Sequence, residues 1–113
     1  MTSGRSDVVT RLGGRPLVRT AAEAVPRHRA ALTGTVASVA VRRRAVLPGP
    51  VRIADPRACL EAVLDDGTGT VTLRWLGRAQ VAGIAVGASI EVEGTVLDEY
   101  GRRVLLNPVY SLL

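Results

Sequence analysis

The sequence predicts an all-β domain in which five short strands close into a small Greek-key barrel. Three observations carry this. Runs rich in β-branched residues alternate with a period of two from Ala31 onward. Glycine-containing turns separate those runs. The apolar residues are Val, Leu, Ile and Ala, with no Phe and only Trp75, Tyr100 and Tyr110 as aromatics, so the core is aliphatic and strand-favouring. The 113 residues, 47% of them apolar, fit one domain that buries roughly two thirds of its unfolded surface. With no glycine period, no heptad run and a single cysteine, collagen, coiled coil and disulfide scaffold are excluded.

Residues 1–30 form a basic N-terminal arm or helical lead-in. Gly4, Gly13, Gly14, Pro16 and Pro26 leave room only for short helical turns near Asp7–Leu12 and Leu17–Ala24. Residues 31–113 form the barrel. Its first strand runs from Ala31 to Val41, with Gly34 suited to a bulge or bend. A long connection, Arg42 to Arg57, carries Pro48-Gly49-Pro50 and Asp55-Pro56. The second strand, Ala58–Leu64, sets Leu60, Ala62 and Leu64 against Glu61 and Val63. Asp65-Asp66-Gly67-Thr68-Gly69 is a tight turn, because glycine takes the positive φ that a reversal needs.

The third strand, Thr70–Leu76, sets Val71, Leu73 and Trp75 inward and Arg74 outward. Arg78–Ala82 predicts a short helical turn between strands three and four. Ser89–Leu97 is the fourth strand, Asp98-Glu99-Tyr100-Gly101 a second hairpin, and Arg102–Leu106 the fifth strand, stopped by Asn107-Pro108. The apolar tail from Val109 to Leu113 packs back on the body.

Strand number and order match the OB-fold, a five-stranded, partly open Greek-key barrel. Gly34-Thr35-Val36, Leu64-Asp65-Asp66-Gly67-Thr68-Gly69-Thr70-Val71, Arg74-Trp75-Leu76, the stretch from Val86 to Val96, and Asn107-Pro108-Val109-Tyr110 resemble, in that order, the nucleic-acid-binding OB-folds of RecG helicase wedge domains and anticodon-binding domains. The resemblance spans about residues 31–113. It implies binding of single-stranded or branched DNA, with RNA second, and a role accessory to DNA repair or recombination. No phosphate-cradling motor motif accompanies it, so unwinding by this chain alone is excluded.

Charge agrees with an anionic partner. All fifteen basic residues are arginine against ten acids, for a net +5. Residues 1–30 carry +4, residues 31–57 carry +4 and residues 58–113 carry −3. An arginine-favouring codon bias explains the choice of Arg over Lys but neither the excess nor its placement. OB-folds bind oligomers on strands two and three and on the loops joining strands one to two and four to five. Those elements carry Arg42, Arg43, Arg44, Arg52, Arg57, Arg74, Tyr100, Arg102 and Arg103, the predicted binding set. Guanidinium groups fork onto phosphate and stay ionised. The bland alternative is that Arg42–Arg44 is only a solvated loop. Tyr100 is the stacking candidate, Trp75 belongs to the core, and Tyr110 closes the barrel end.

Catalytic residues are not evident. His28 stands among arginines, Cys59 alone cannot build a zinc site, and Asp65-Asp66 reads as a turn before it reads as a metal site. The sequence is therefore read as non-enzymatic, without cofactor or metal, with no membrane partner and a cytoplasmic location. The alternative function is a protein–protein adaptor that docks a partner with barrel and arm, favoured if Leu112-Leu113 stands unburied.

Overall fold

The computed structural model describes residues 17–43 and 54–113. Its strands are β1 (Arg29–Arg43), β2 (Ala54–Asp65), β3 (Thr70–Arg78), β4 (Ser89–Glu99), β5 (Arg102–Leu106) and β6 (Val109–Leu112). Neighbours run β1-β2-β3-β5-β4, and β4 returns to β1 to close the barrel. All pairings are antiparallel except β3 with β5. The expected barrel is present.

Closure rests on β1, which is long enough to serve two partners. Residues 29–35 pair with β4 and residues 35–43 with β2. Between the two halves the register slips at Ala37, so that Val36 faces Leu64 and Ser38 faces Val63. A bulge of this kind bends a strand and inverts its alternation. Ala30, Leu32 and Val36 point inward before it, while Val39 packs on the core after it. Just ahead, Gly34 lies so close to β2 that a Cβ would clash with the Asp65 carbonyl oxygen and sit 2.9 Å from its carbon.

The interior is filled by Leu32, Val36, Leu60, Ala62, Leu64, Val71, Leu73, Ile90, Val92, Val96 and Leu105, with Trp75 among them. Each such aliphatic side chain contributes about 1.5–3 kcal/mol on leaving water. Trp75 is in the core, as its strand parity predicts. Its indole Nε1 donates to the Pro108 carbonyl at 3.1 Å, and the Tyr110 ring meets it edge-on at 5.6 Å. The Tyr110 hydroxyl donates to the Ala82 carbonyl at 2.7 Å, which closes that end of the barrel.

Several boundaries differ from the expectation. The tail is a sixth strand: beyond the Asn107-Pro108 break, Val109–Leu112 re-enters the ladder beside residues 90–93 of β4. It packs back through Tyr110, which lies against the core, while Val109, Leu112 and Leu113 stay exposed. Strands β1 and β2 reach further into the predicted connection, to Arg43 and from Ala54. No helical turn forms at Arg78–Ala82. Gly77 before it, and Gly83 and Gly87 after it, take positive φ and turn the chain.

The one helical element among the described residues is a 3-10 turn at Ala21–Glu23, inside the predicted Leu17–Ala24 stretch. It is tied to the barrel. The Ala21 amide donates to Asp66 Oδ2 at 2.7 Å, while Asp66 Oδ1 accepts from the Thr68 amide, the Thr68 hydroxyl and the Gly69 amide. Asp65 Oδ1 accepts from the Gly67 amide at 2.8 Å. The two aspartates thus serve the turn, as read from the sequence. Residues 1–16 of the arm lie outside the described residues.

Replacing Gly34 with Ala should cost about 2 kcal/mol, the usual penalty for forcing an extra methyl against backbone. Urea unfolding with an unchanged m-value would measure it, and an undiminished midpoint would contradict the close approach.

Candidate functional site

The outer faces of β2 and β3 meet at a cluster that the hairpin register dictates. With Asp65 opposite Thr70, Glu61 must lie opposite Arg74. Both residues point away from the core, because Leu60, Ala62, Leu73 and Trp75 point into it. In the second hairpin Glu99 lies opposite Arg102. The parallel β3–β5 pairing then brings the two hairpins together.

Arg74 is the centre. Its Nε donates to Glu61 Oε2 at 2.7 Å, and its two terminal nitrogens donate to the two Glu99 oxygens at 2.5 Å. Arg42, at the far end of β1, donates through Nε to the other Glu61 oxygen at 2.9 Å. Arg102 stands 3.7 Å from both Glu61 and Glu99. Side-chain exposure separates the members: 8% for Glu61, 18% for Arg74, 38% for Glu99, 53% for Arg102 and 66% for Arg42.

Protonation follows from these contacts. Burial works to raise the Glu61 carboxyl, but hydrogen bonds from Arg74 and then Arg42 overrule it and hold it below its ordinary value. Glu99 is lowered chiefly by its hydrogen bonds from Arg74. Arg74 is held further above its usual range by Glu99 first and Glu61 second. Cys59, beside this cluster on β2, is pushed up mainly by burial and so does not present a reactive thiolate.

The predicted binding residues divide. Arg42, Arg74 and Arg102 come together on one face. Arg74 is on the outer face as expected but is already held by two carboxylates. Arg103 does not join Arg102, because neighbours on a strand face opposite ways. One of its terminal nitrogens lies beside Gly69, at the β2–β3 turn. Tyr100 is fully exposed at the tip of the β4–β5 hairpin with φ of 51°. Arg57 is exposed at the start of the described β2 side chains and Arg43 is half-buried at the end of β1. Arg44 and Arg52 lie outside the described residues. His28 is exposed, with Nδ1 3.2 Å from the Pro26 carbonyl.

Glu61 and Glu99 were not singled out from the sequence, yet they organise the site. The signal for Glu61 was the hairpin register itself; for Glu99 it required the non-local β3–β5 pairing. Leu76 and Leu106 flank the cluster with exposed aliphatic surface. Asn107 fixes that edge: its amide donates to the Arg74 carbonyl, and its Oδ1 accepts from the Leu76 amide at 2.8 Å.

Strand order, closure and the curved first strand define an OB-fold. No family model and no curated protein matches the chain. Among solved structures it is similar to a chain of a replication protein A heterotrimer bound to ssDNA, with a TM-score of 0.51 at 14% identity. The similarity covers 75% of this chain and 57% of that one. At this identity the likeness is one of fold.

The lowered carboxylates make stability depend on acid. A folded-state value below the unfolded one contributes stability above the ordinary values, 4.5 for Glu61 and 3.8 for Asp66, and loses it as pH falls through the lowered ones. The melting temperature should therefore drop as pH falls from about 5 to about 3. Glu61→Gln and Asp66→Asn should each flatten part of that slope. A wild-type melt that is level across this range would contradict the network.

Proposed function

We propose that this chain is a non-catalytic module that binds nucleic acid, single-stranded DNA ahead of branched DNA and RNA. One observation carries the reading: an OB-fold, the fold shared with a chain solved in a complex with ssDNA, brings Arg42, Arg74 and Arg102 to the outer face of β2 and β3 beside a fully exposed tyrosine. Guanidinium groups supply phosphate contacts, and Tyr100 supplies a face on which a base stacks. Leu76 and Leu106 add apolar surface for a neighbouring base. The resemblance of residues 31–113 to RecG wedge domains supports forked substrates as the second choice and a role accessory to DNA repair.

A specific observation also favours the adaptor reading. β6 leaves Val109, Leu112 and Leu113 exposed, and Val86 lies exposed as well. Aliphatic residues on a short outlying strand suit the edge pairing by which sheets accept a partner's strand. Arg42, Arg74 and Arg102, on β1, β3 and β5, have no part in such pairing, so oligonucleotide binding separates the two readings.

Fluorescence polarisation against single-stranded, duplex, forked and RNA oligomers of equal length, in a salt series, tests the proposal. Wild type should prefer the single strand, with affinity falling as salt rises. The double substitution Arg42→Ala and Arg102→Ala should make the slope shallower by roughly 1.4, two contacts at about 0.7 each. Tyr100→Ala should weaken binding about tenfold, the value of one stacked base, without moving the melt. Equal affinity of wild type and the double variant would remove these arginines from the interface.

A further inference from the structure

We propose that the Arg74 fork is a phosphate subsite closed by Glu99, and that a nucleic-acid strand opens it by exchanging a phosphate for that carboxylate. The inference rests on the proposed function and names a contact within it.

The geometry of the present occupant supports the exchange. Both terminal nitrogens of Arg74 point at Glu99, one to each carboxylate oxygen, at 2.5 Å. A phosphodiester offers the same pair of oxygens to the same fork. The third nitrogen, Nε, donates to Glu61 at 2.7 Å and fixes the plane of the guanidinium. The fork is therefore oriented before any ligand arrives.

The two carboxylates differ in whether they can leave. Glu61 lies mid-strand, is 8% exposed, and is held by Arg42 and Arg74 with Arg102 nearby. Displacing it means breaking its hydrogen bonds to both Arg42 and Arg74. Glu99 is the last residue of β4, is 38% exposed, and adjoins Tyr100 and Gly101, which both take positive φ in the turn. Arg102 already stands 3.7 Å from a Glu99 oxygen. A displaced Glu99 thus keeps a cation, and the exchange leaves no buried charge without a partner. Its position beside Tyr100 puts the subsite where the backbone of a base stacked on that ring would pass.

Glu99→Gln tests this, with Asp98→Asn as its control. Asp98 carries the same charge one residue away, but it pairs in register with Arg103 and faces the other side of the sheet. The probe is a single-stranded thymidine oligomer. Glu99→Gln should bind it about fivefold more tightly than wild type, with a salt slope steeper by roughly 0.7, one added phosphate contact. Asp98→Asn should change affinity less than about twofold and leave the slope alone, as a remote charge does. Glu99→Thr, which keeps a strand-favouring residue, should behave as the Gln variant does, and melts of all variants confirm folding.

If wild type binds and Glu99→Gln is no tighter than Asp98→Asn, the subsite is overturned while the proposed function stands. If wild type is silent and Glu99→Gln binds, the strand cannot displace Glu99, and both the exchange and the proposed function of the wild-type chain are overturned. If neither binds, both readings fall.

Discussion

Everything on the outer face of β2 and β3 depends on one strand having two partners. β1 closes the barrel by pairing with β4 along its first half and β2 along its second. A flat strand cannot do both, so the chain must bend and its side-chain phase must be reset. Gly34 permits the close passage over Asp65, and the slip at Ala37 supplies the reset. The reset is what sends Arg42 outward, into reach of Glu61. Without it, Arg42 would fall on the inner face and Val39 on the outer one. The position of a candidate ligand-binding arginine is thus a consequence of barrel closure.

The same face shows how a basic protein stores charge. A carboxylate with 8% exposure is costly to keep ionised unless several donors replace its water. Glu61 has two direct donors and a third guanidinium close by, and Arg74 has two carboxylates. Each buried charge is stabilised by more than one partner, so the cluster behaves as a unit rather than as separable pairs. Its outer members, Arg42 and Arg102, are anchored at one end and solvated at the other. Such side chains forfeit less rotamer entropy on meeting a ligand than free surface arginines do.

How much of this was readable from the sequence divides by range of interaction. The hairpin at Asp65–Gly69, the inward Trp75 and the outward Arg74 follow from local turn chemistry and period-two alternation. Glu61 opposite Arg74 follows from the same hairpin register by counting back from the turn. The pairing of Arg74 with Glu99, at the end of β4, depends on β3 lying beside β5, strands separated by β4 in the chain, and no local pattern encodes it. The sixth strand was hidden by Pro108, which reads as a stop, although here it only interrupts the ladder before β4 accepts the chain again. Arg103 was grouped with Arg102 by sequence adjacency, whereas strand parity separates them. The stretch Arg78–Ala82, foreseen as a helical turn, is bracketed by Gly77 and Gly83, whose positive φ leaves no room to extend a helix at either end.

Net charge alone is a poor guide to what such a surface binds. Three guanidiniums of the face stand against two carboxylates of the same face, so its field is far weaker than an arginine count implies. A single small anion must displace a bidentate carboxylate that is already in place and held at high local concentration. A polyanion would differ under the proposed exchange, because first contacts with exposed Arg42 and Arg102 would hold the next phosphate near the fork and make the exchange intramolecular. On the proposed reading, internal ion pairs would act as a threshold that isolated anions do not pass and a chain of phosphates does. On this view the acids among the arginines do not dilute a binding surface. They set which kind of anion it answers to.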